Sequence, residues 1–230
     1  MTTHVAFSDL RTAAYCPRKL YYQRTRDDHD REPPLVVDEI RALAARYDEL
    51  LATPPAELAT EPIARSPEMY RDRLAATRRR LETVDGQGQW GRLTEPIDRD
   101  VLVTGRECRG IVHKLLTDPI EPAIVSPGKP PDQGVWEPQS VHAVGAAKAL
   151  AWEHGTSVER AWIEYPAYGV IRRIDLTTRR KAAYRRTLRT VRELDGPPPR
   201  IDNRSKCDAC EFADACGVRT RTLRSLLGFG

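Results

Sequence analysis

Long apolar stretches are missing from this chain of 230 residues, whose mean hydropathy is −0.56. No segment approaches the ~20 consecutive apolar residues of a membrane-spanning helix. Residues 1–10 lack the charged and apolar regions of a signal peptide. Both absences predict a soluble, cytoplasmic protein with no membrane partner. The length predicts one domain, or one domain with a small appendage.

Cysteine is also scarce, with five residues in the chain. In a reducing compartment, an odd number fits metal ligands better than a disulfide framework. Cys207, Cys210 and Cys216 form a Cys-x2-Cys-x5-Cys pattern near the end of the sequence. Zinc and iron-sulfur clusters usually take four protein ligands. The fourth ligand would be Cys16 or Cys108.

Lysine is rare, because only six of the 37 basic residues are Lys and the other 31 are Arg. Arginine grips phosphate groups bidentately and stacks on bases. A GC-rich coding sequence would also replace lysine with arginine throughout, and a solvated helix face is the commoner meaning of a charge run. The arginines that we expect to follow a DNA backbone lie on two predicted helices and are Arg78, Arg79, Arg185 and Arg186.

The order of the predicted elements indicates an α/β fold. Pro17 predicts a break after Cys16, which leaves that thiol at a junction of two helices. An amphipathic helix is predicted at 37–51 and an arginine-rich helix at 69–84. The remaining predicted elements are strands at 100–105, 109–116 and 122–126, a helix at 138–153, strands at 158–165 and 169–176, and a helix at 177–194.

Two motifs at opposite ends of the chain resemble those of the CRISPR-associated exonucleases related to the RecB nuclease domain. They are Tyr15-Cys16-Pro17-Arg18-Lys19-Leu20-Tyr21-Tyr22 and Lys206-Cys207-x2-Cys210-x5-Cys216. The resemblance spans most of the chain. It implies that a 4Fe-4S cluster is held by four cysteines, namely Cys16, Cys207, Cys210 and Cys216. Cys108 has no place in that set and is interpreted as structural.

The same resemblance implies a RecB-like PD-(D/E)XK nuclease core, in which a mixed sheet is flanked by helices and the two ends of the chain join at a metal-cluster subdomain. We therefore expect four segments. They are an N-terminal helical cluster-binding segment (1–34), a helical insertion (35–97), an α/β nuclease-like core (98–195) and a C-terminal cysteine cluster segment (196–230).

Members of that family cut single-stranded DNA with Mg²⁺ or Mn²⁺, held by an Asp on the second strand and a Glu on the third, with a Lys two residues later. Hard cations need such carboxylate oxygens. This chain has His113 at the Asp position, and it has Ile124-Val125-Ser126-Pro127-Gly128-Lys129 where Glu-x-Lys is expected. His113 and Lys129 are therefore the catalytic candidates of a degenerate site. A core histidine is the alternative interpretation of His113.

Nearby acids could be migrated metal ligands or ordinary surface carboxylates, and they are Glu107, Asp118, Glu121 and Asp132. If a residual site survives, metal-stripped protein is inactive and His113→Asp increases the cutting of single-stranded DNA. The expected function is an iron-sulfur protein that acts on single-stranded DNA ends with weak or lost cleavage, alongside CRISPR integrase proteins. The alternative is a non-enzymatic DNA- or protein-binding module stabilised by zinc at the C-terminal cysteines.

Overall fold

The computed structural model describes residues 4–26, 34–83 and 88–217. Within these ranges, six strands form one mixed, open sheet flanked by helices, which confirms the predicted α/β class. The strands are β1 (Val5–Ala6), β2 (Asp98–Thr104), β3 (Cys108–Leu116), β4 (Glu121–Val125), β5 (Arg160–Tyr165) and β6 (Val170–Asp175). None of the helices in the described ranges is long and apolar enough to cross a bilayer.

The helices fall into a group before the sheet's main hairpin and a group after it. The first group is α1 (Phe7–Tyr15), α2 (Pro17–Thr25), α3 (Leu35–Leu43), α4 (Tyr47–Ala52), α5 (Pro55–Leu58), α6 (Pro67–Thr83) and α7 (Gln89–Thr94). The second group is α8 (Glu137–Glu153), α9 (Thr178–Arg192) and α10 (Arg204–Asp208). The predicted C-terminal segment continues into residues 218–230, which lie outside the described residues.

Strand β3 is the centre of the sheet. β2 pairs with it antiparallel along one edge, whereas β1 and β4 pair with the two ends of its other edge. β5 then lies parallel to β4, and β6 lies antiparallel to β5. A parallel step needs a crossover connection, and α8 supplies it between β4 and β5. The predicted hairpin and the three later strands are confirmed, with their ends displaced by one or two residues.

Two apolar cores lie on opposite faces of the sheet. Neighbouring residues of a strand point to opposite faces, and in β5 the buried Trp162 belongs to one core while Ile163 belongs to the other. The Ile163 core includes Leu10 of α1, Val144 of α8 and Tyr184 of α9. The first helix of the chain is therefore packed directly into the main core.

Pro17 separates the first two helices as the sequence predicts. α1 ends at Tyr15, α2 begins at Pro17, and Cys16 between them is extended, with φ −163°. Proline is well suited to the first position of a helix, because its missing N–H would have no partner there. The junction fixes the Cys16 thiol on the side of the molecule where α1 and α2 meet.

The single helix predicted at 37–51 is wrong, because the chain forms α3 and α4 with a turn at Ala44. The Nζ atom of Lys114 donates a hydrogen bond of 2.7 Å to the carbonyl oxygen of Ala44. In a continuous helix that oxygen would instead accept from the backbone N–H of Asp48. A buried lysine from the sheet thus takes the acceptor that the next helical turn would need.

Candidate functional site

Four cysteines from the two ends of the chain line one small cavity of about 20 Å³. Cys16 comes from the junction of α1 and α2, and Cys207 from α10. Cys210 and Cys216 come from the turns that follow α10. The pKa of Cys207 is raised, first by desolvation and then by the thiols of Cys16, Cys216 and Cys210. The structure therefore brings together the four residues that the two end motifs singled out.

Contacts between α2 and the C-terminal segment hold this cavity together. Arg18 donates through Nη1 to the carbonyl of Pro198 at 2.9 Å, and the Tyr22 hydroxyl donates to the carbonyl of Ala215 at 3.0 Å. The rings of Tyr22 and Phe212 stack with their centroids 5.9 Å apart. These contacts span about 180 residues of sequence, so the ends of the described chain form one subsite.

Basic side chains surround the thiols. Arg18, Lys19 and Lys206 line the same cavity as the cysteines. Lys19 pairs with Glu211 at 3.1 Å, and the Lys206 ammonium lies 4.5 Å from the centroid of the Tyr15 ring. Three cations thus line the cysteine cavity, and the two lysines already contact other side chains, Glu211 and Tyr15.

The donor set fits a four-cysteine centre, whereas the positions of the sulfur atoms do not by themselves form one. All five cysteines of the chain are free. Among the residues that the structure describes, no three His, Cys, Asp or Glu side chains form a group that could hold a metal ion. Four cysteines are nevertheless the ligands that both iron-sulfur clusters and structural zinc require.

Cys108 lies in a different environment, at the start of β3. Its Sγ atom is 3.3 Å from the hydroxyl oxygen of Tyr184 and 3.6 Å from the carbonyl oxygen of Gly145. Burial is the main cause that raises the pKa of this thiol. A buried, protonated thiol of this kind is a packing residue, as the sequence interpretation proposes for Cys108.

A basic cleft of about 680 Å³ adjoins the cysteine cavity. The two share Tyr15, Lys19 and Lys206 as lining residues. Arg11 of α1 and Lys129 of the loop after β4 add two more cations, and no Asp or Glu occurs among the described residues that line the cleft. A concave surface with cations and no carboxylates concentrates anions.

The floor of the basic cleft carries hydrogen-bonding groups and an exposed indole. The Gln139 side chain donates to Ser126 Oγ at 3.3 Å, while its Oε1 atom is buried without a partner among the described residues. Trp136 is 50% exposed and donates through Nε1 to the carbonyl of Lys129 at 2.8 Å. This bond fixes the loop that presents Lys129 to the cleft.

His113 lies on β3 beside the end of β4, where its Nδ1 atom accepts a 3.3 Å hydrogen bond from the backbone N–H of Val125. Burial, and next the guanidinium of Arg41, lowers the pKa of His113 to about 4. The ring is therefore neutral at pH 7. His113 lines a cavity of about 420 Å³, while Lys129 lines the basic cleft. The structure does not bring the two catalytic candidates into one cavity.

The surroundings of His113 do not fit Mg²⁺. The described lining residues include two carboxylates, Asp38 and Asp100, and Asp38 already pairs with Arg41 at 3.3 Å. Arg41 and Arg11 both lower the pKa of His113, so positive charge is concentrated near this ring. Hard divalent cations need several oxygen ligands and are repelled by guanidinium groups.

Glu121 is buried at the start of β4 and does not belong to the surface loops, so the surface interpretation of this acid is wrong. Its carboxylate lies 2.7 Å from Nε of Arg160 and 3.3 Å from Nη1 of Arg92. It also accepts from Trp162 Nε1 at 2.7 Å. A buried carboxylate with three such donors is a structural anchor of the strand.

The arginines that are predicted to contact DNA differ in whether acidic side chains already pair with them. Arg78 pairs with Glu82 at 2.7 Å and with Asp48 at 3.4 Å, which offsets its charge. Arg79 is exposed on α6, and the two others, Arg185 and Arg186, are exposed on α9. The basic cleft, with Arg11, Lys19, Lys129 and Lys206, is the interface that spacing along single helices did not reveal, because its residues come from four separate segments.

Comparison with models of known protein families and with curated proteins finds no match for this sequence. The described residues define the chemistry of the site. They provide four thiols around one cavity, a carboxylate-free basic cleft beside it and a neutral histidine in an arginine-rich pocket. This arrangement suits a thiolate-bound metal centre and the binding of an anionic chain better than hydrolysis by a divalent cation.

Proposed function

We propose that this protein is an iron-sulfur, RecB-like nuclease-fold protein that binds single-stranded DNA ends and has lost metal-dependent cleavage. The observation that carries the proposal is the adjacency of the cysteine cavity and the basic cleft, which share Tyr15, Lys19 and Lys206. A cluster at the cysteines would fix the walls of the cleft, because it would bind α10 to the junction of α1 and α2.

The cluster assignment is supported by the origin of the four thiols. Cys16 lies 191 residues before Cys207 in the sequence, yet both line the same cavity. A zinc module built on the C-terminal cysteines alone would not need Cys16. Cys16, Cys207, Cys210 and Cys216 would hold the 4Fe-4S cluster, whose role here is to stabilise the fold.

DNA binding is supported by the composition of the basic cleft. Its cations suit phosphate groups, and the exposed face of Trp136 suits the stacking of an unpaired base. The hydrogen bond between Gln139 and Ser126 adds polar groups to the lining of the cleft. Single-stranded DNA offers phosphates and unstacked bases together, so it satisfies both kinds of group.

Loss of cleavage is supported by the pocket of His113. Ile124, which stands on β4 near the expected Glu position, is a buried core residue, so the strand carries no replacement carboxylate there. The Mg²⁺ or Mn²⁺ of the resembled nucleases has no fitting ligand set in this pocket. A RecB-like protein of this kind would hold DNA ends for partners such as CRISPR integrase proteins.

The first test is to purify the protein without oxygen and to record its visible spectrum with iron, sulfide and zinc analysis. We expect a brown protein with about four irons per chain. Cys16→Ser should lose the colour, whereas the matched control Cys108→Ser should keep it. A colourless protein that carries one zinc and is indifferent to Cys16→Ser would overturn the cluster and favour the zinc-stabilised binding module.

The second test is fluorescence anisotropy with a labelled single-stranded oligonucleotide. Arg11→Glu and Lys129→Glu should each weaken binding about tenfold and reduce the salt dependence by about 0.7 per lost phosphate contact. Arg65→Glu, an exposed residue between α5 and α6, makes the same charge change outside the cleft and should have little effect. Equal losses in all three variants would mean that net charge alone drives binding and would contradict the cleft.

A further inference from the structure

A second cleft, here called the distal cleft, lies at the other end of α8. Its volume is about 680 Å³, and it is bordered by the turn between β2 and β3, the end of α8 and one flank of α9. The basic cleft lies at the start of α8, and the two clefts share no described lining residue. Their lining residues Gln139 and Lys148 are nine residues apart on α8, which corresponds to about 14 Å at the rise of an α-helix.

Uncompensated positive charge lines the distal cleft. Its described lining residues include the cations Arg106, Lys148 and Arg192 and one carboxylate, Glu107. Glu107 pairs with Arg192 at 3.6 Å. Arg106 and Lys148 have no carboxylate partner among the described residues, so two cations remain available to an anionic ligand.

An exposed indole stands beside these cations. Trp152 is 60% exposed, although large apolar side chains are usually covered. The guanidinium carbon of Arg106 lies 5.9 Å from the centroid of the Trp152 ring. Lys148 is likewise 5.9 Å from the ring of Tyr184, which forms part of the floor. An exposed aromatic ring next to cations is a combination that suits the bases and phosphates of single-stranded nucleic acids.

Close packing fixes the geometry of the distal cleft. A Cβ atom on Gly105 would lie 2.5 Å from the Cα of Ala149, so the turn between β2 and β3 rests directly on the backbone of α8. The backbone N–H of Thr104 also donates to the Glu153 carboxylate at 2.8 Å. Both contacts hold Arg106 beside Trp152 before any ligand arrives, which lowers the entropic cost of binding.

We propose that the distal cleft binds a second segment of single-stranded nucleic acid, with a base stacked on Trp152 and the adjoining phosphates on Arg106 and Lys148. Arg189 lies one helical turn and Arg185 two turns before Arg192 on α9, and both are exposed, so they extend the basic surface away from the cleft. The inference does not rest on the proposed function, because the two clefts have separate lining residues.

Tryptophan fluorescence can observe each cleft separately. Trp90 and Trp162 are buried, whereas Trp136 stands in the basic cleft and Trp152 in the distal cleft. In Trp136→Phe, an oligothymidylate of about six nucleotides should quench the emission of Trp152. In Trp152→Phe, the same titration reports on the basic cleft, so failure of one site is distinguishable from failure of the other.

The decisive variants are Arg106→Glu and Lys148→Glu, each made in the Trp136→Phe background. Each should weaken the quenching titration about tenfold, whereas Arg65→Glu should leave it unchanged. Lack of quenching, or quenching that ignores both variants, would overturn the proposal. Equal binding of duplex DNA, or of free thymidine monophosphate, would overturn the assignment to a single-stranded chain.

Discussion

The ammonium of Lys114 lies 2.8 Å from Oε2 of Glu164, and both side chains are almost completely buried. Lys114 comes from β3 and Glu164 from β5, with β4 between them. The ammonium also donates to the backbone carbonyls of Ala44 and Leu93, at 2.7 Å each. One lysine therefore connects the sheet to the turn before α4 and to the end of α7.

We expect Lys114→Met to destabilise the fold by about 3–5 kcal/mol, because Glu164 would remain buried without its counter-ion. The double variant Lys114→Met with Glu164→Gln should recover part of this loss, since it removes the uncompensated charge. Urea unfolding measures both values. Lys181→Met removes a half-exposed pair with Glu159 and serves as the control, with an expected loss below about 1 kcal/mol. Equal losses in Lys114→Met and Lys181→Met would contradict this account.

Two buried histidines predict how stability depends on pH. Burial is the first cause that lowers the pKa of His113 from 6.5 to about 4 and that of His142 from 6.5 to about 3. Arg41, Arg11, Asp100 and Lys114 face His113, and His142 is influenced by Arg11 and by His113 itself. As the pH falls below 6.5, these two histidines take up protons in the unfolded chain while they stay neutral in the folded chain. The contribution of each histidine to the free energy of unfolding is thus fully present above pH 6.5 and is lost as the pH falls through its folded-state pKa, about 4 for His113 and about 3 for His142.

The expected slope between pH 6.5 and pH 5 is up to about 1.4 kcal/mol per pH unit for each histidine. His142→Leu should reduce this slope by the contribution of one histidine, because it removes one group that binds a proton in the unfolded state. Chemical unfolding at several pH values measures the slope. A slope that is the same in the wild type and in His142→Leu would refute the assignment.

Much of the fold follows from local sequence signals. Short runs rich in β-branched and apolar residues in β2 to β6 and the proline after Cys16 place the strands and the first helix junction within one or two residues. The turn at Ala44 could not be predicted, because its cause is Lys114, which is 70 residues away. The short elements β1, α5, α7 and α10 also escape a periodicity argument, since a few residues do not establish a period.

Likewise, the sequence predicts only part of the candidate site. The cysteine spacing identifies the thiols, and the structure supplies their common cavity. The basic cleft could not be read from the sequence, because Arg11 and Lys129 lie far apart in the chain and become neighbours only through packing of α1 and α8. Charged residues are usually exposed, so the sequence predicts a surface position for Glu121. Its burial depends on Arg92 and Arg160, which approach it from separate elements.

The stacked pair of Tyr22 and Phe212 predicts which contact would shield the proposed cluster from air. Tyr22→Leu removes the stacking and the hydrogen bonds of the hydroxyl with Ala215 and Arg18, whereas Tyr22→Phe removes those hydrogen bonds alone. We expect the visible absorbance of the anaerobically purified protein to decay severalfold faster in air for Tyr22→Leu than for Tyr22→Phe. Similar decay of both variants would show that the stacking does not shield the centre.

His113→Asp tests whether the cleavage site is lost or only weakened. The variant restores a carboxylate at the position of the resembled metal ligand, beside Asp100 in the same cavity. Arg41 and Arg11 remain near it, and β4 still carries the buried Ile124 instead of a second acid. We therefore expect neither the wild type nor the variant to cut a labelled single-stranded oligonucleotide with Mg²⁺ or Mn²⁺.

The same variant should still bind the oligonucleotide in the presence of a chelator, because the basic cleft contains Arg11 and Lys129 and does not need a divalent cation. Denaturing electrophoresis of the labelled strand measures cutting, and anisotropy measures binding on the same samples. Metal-dependent cutting that appears in His113→Asp and disappears with chelator would show that a residual site survives at this position. Loss of cleavage would then be the consequence of one substitution, and the arginines around His113 would be compatible with a bound metal ion.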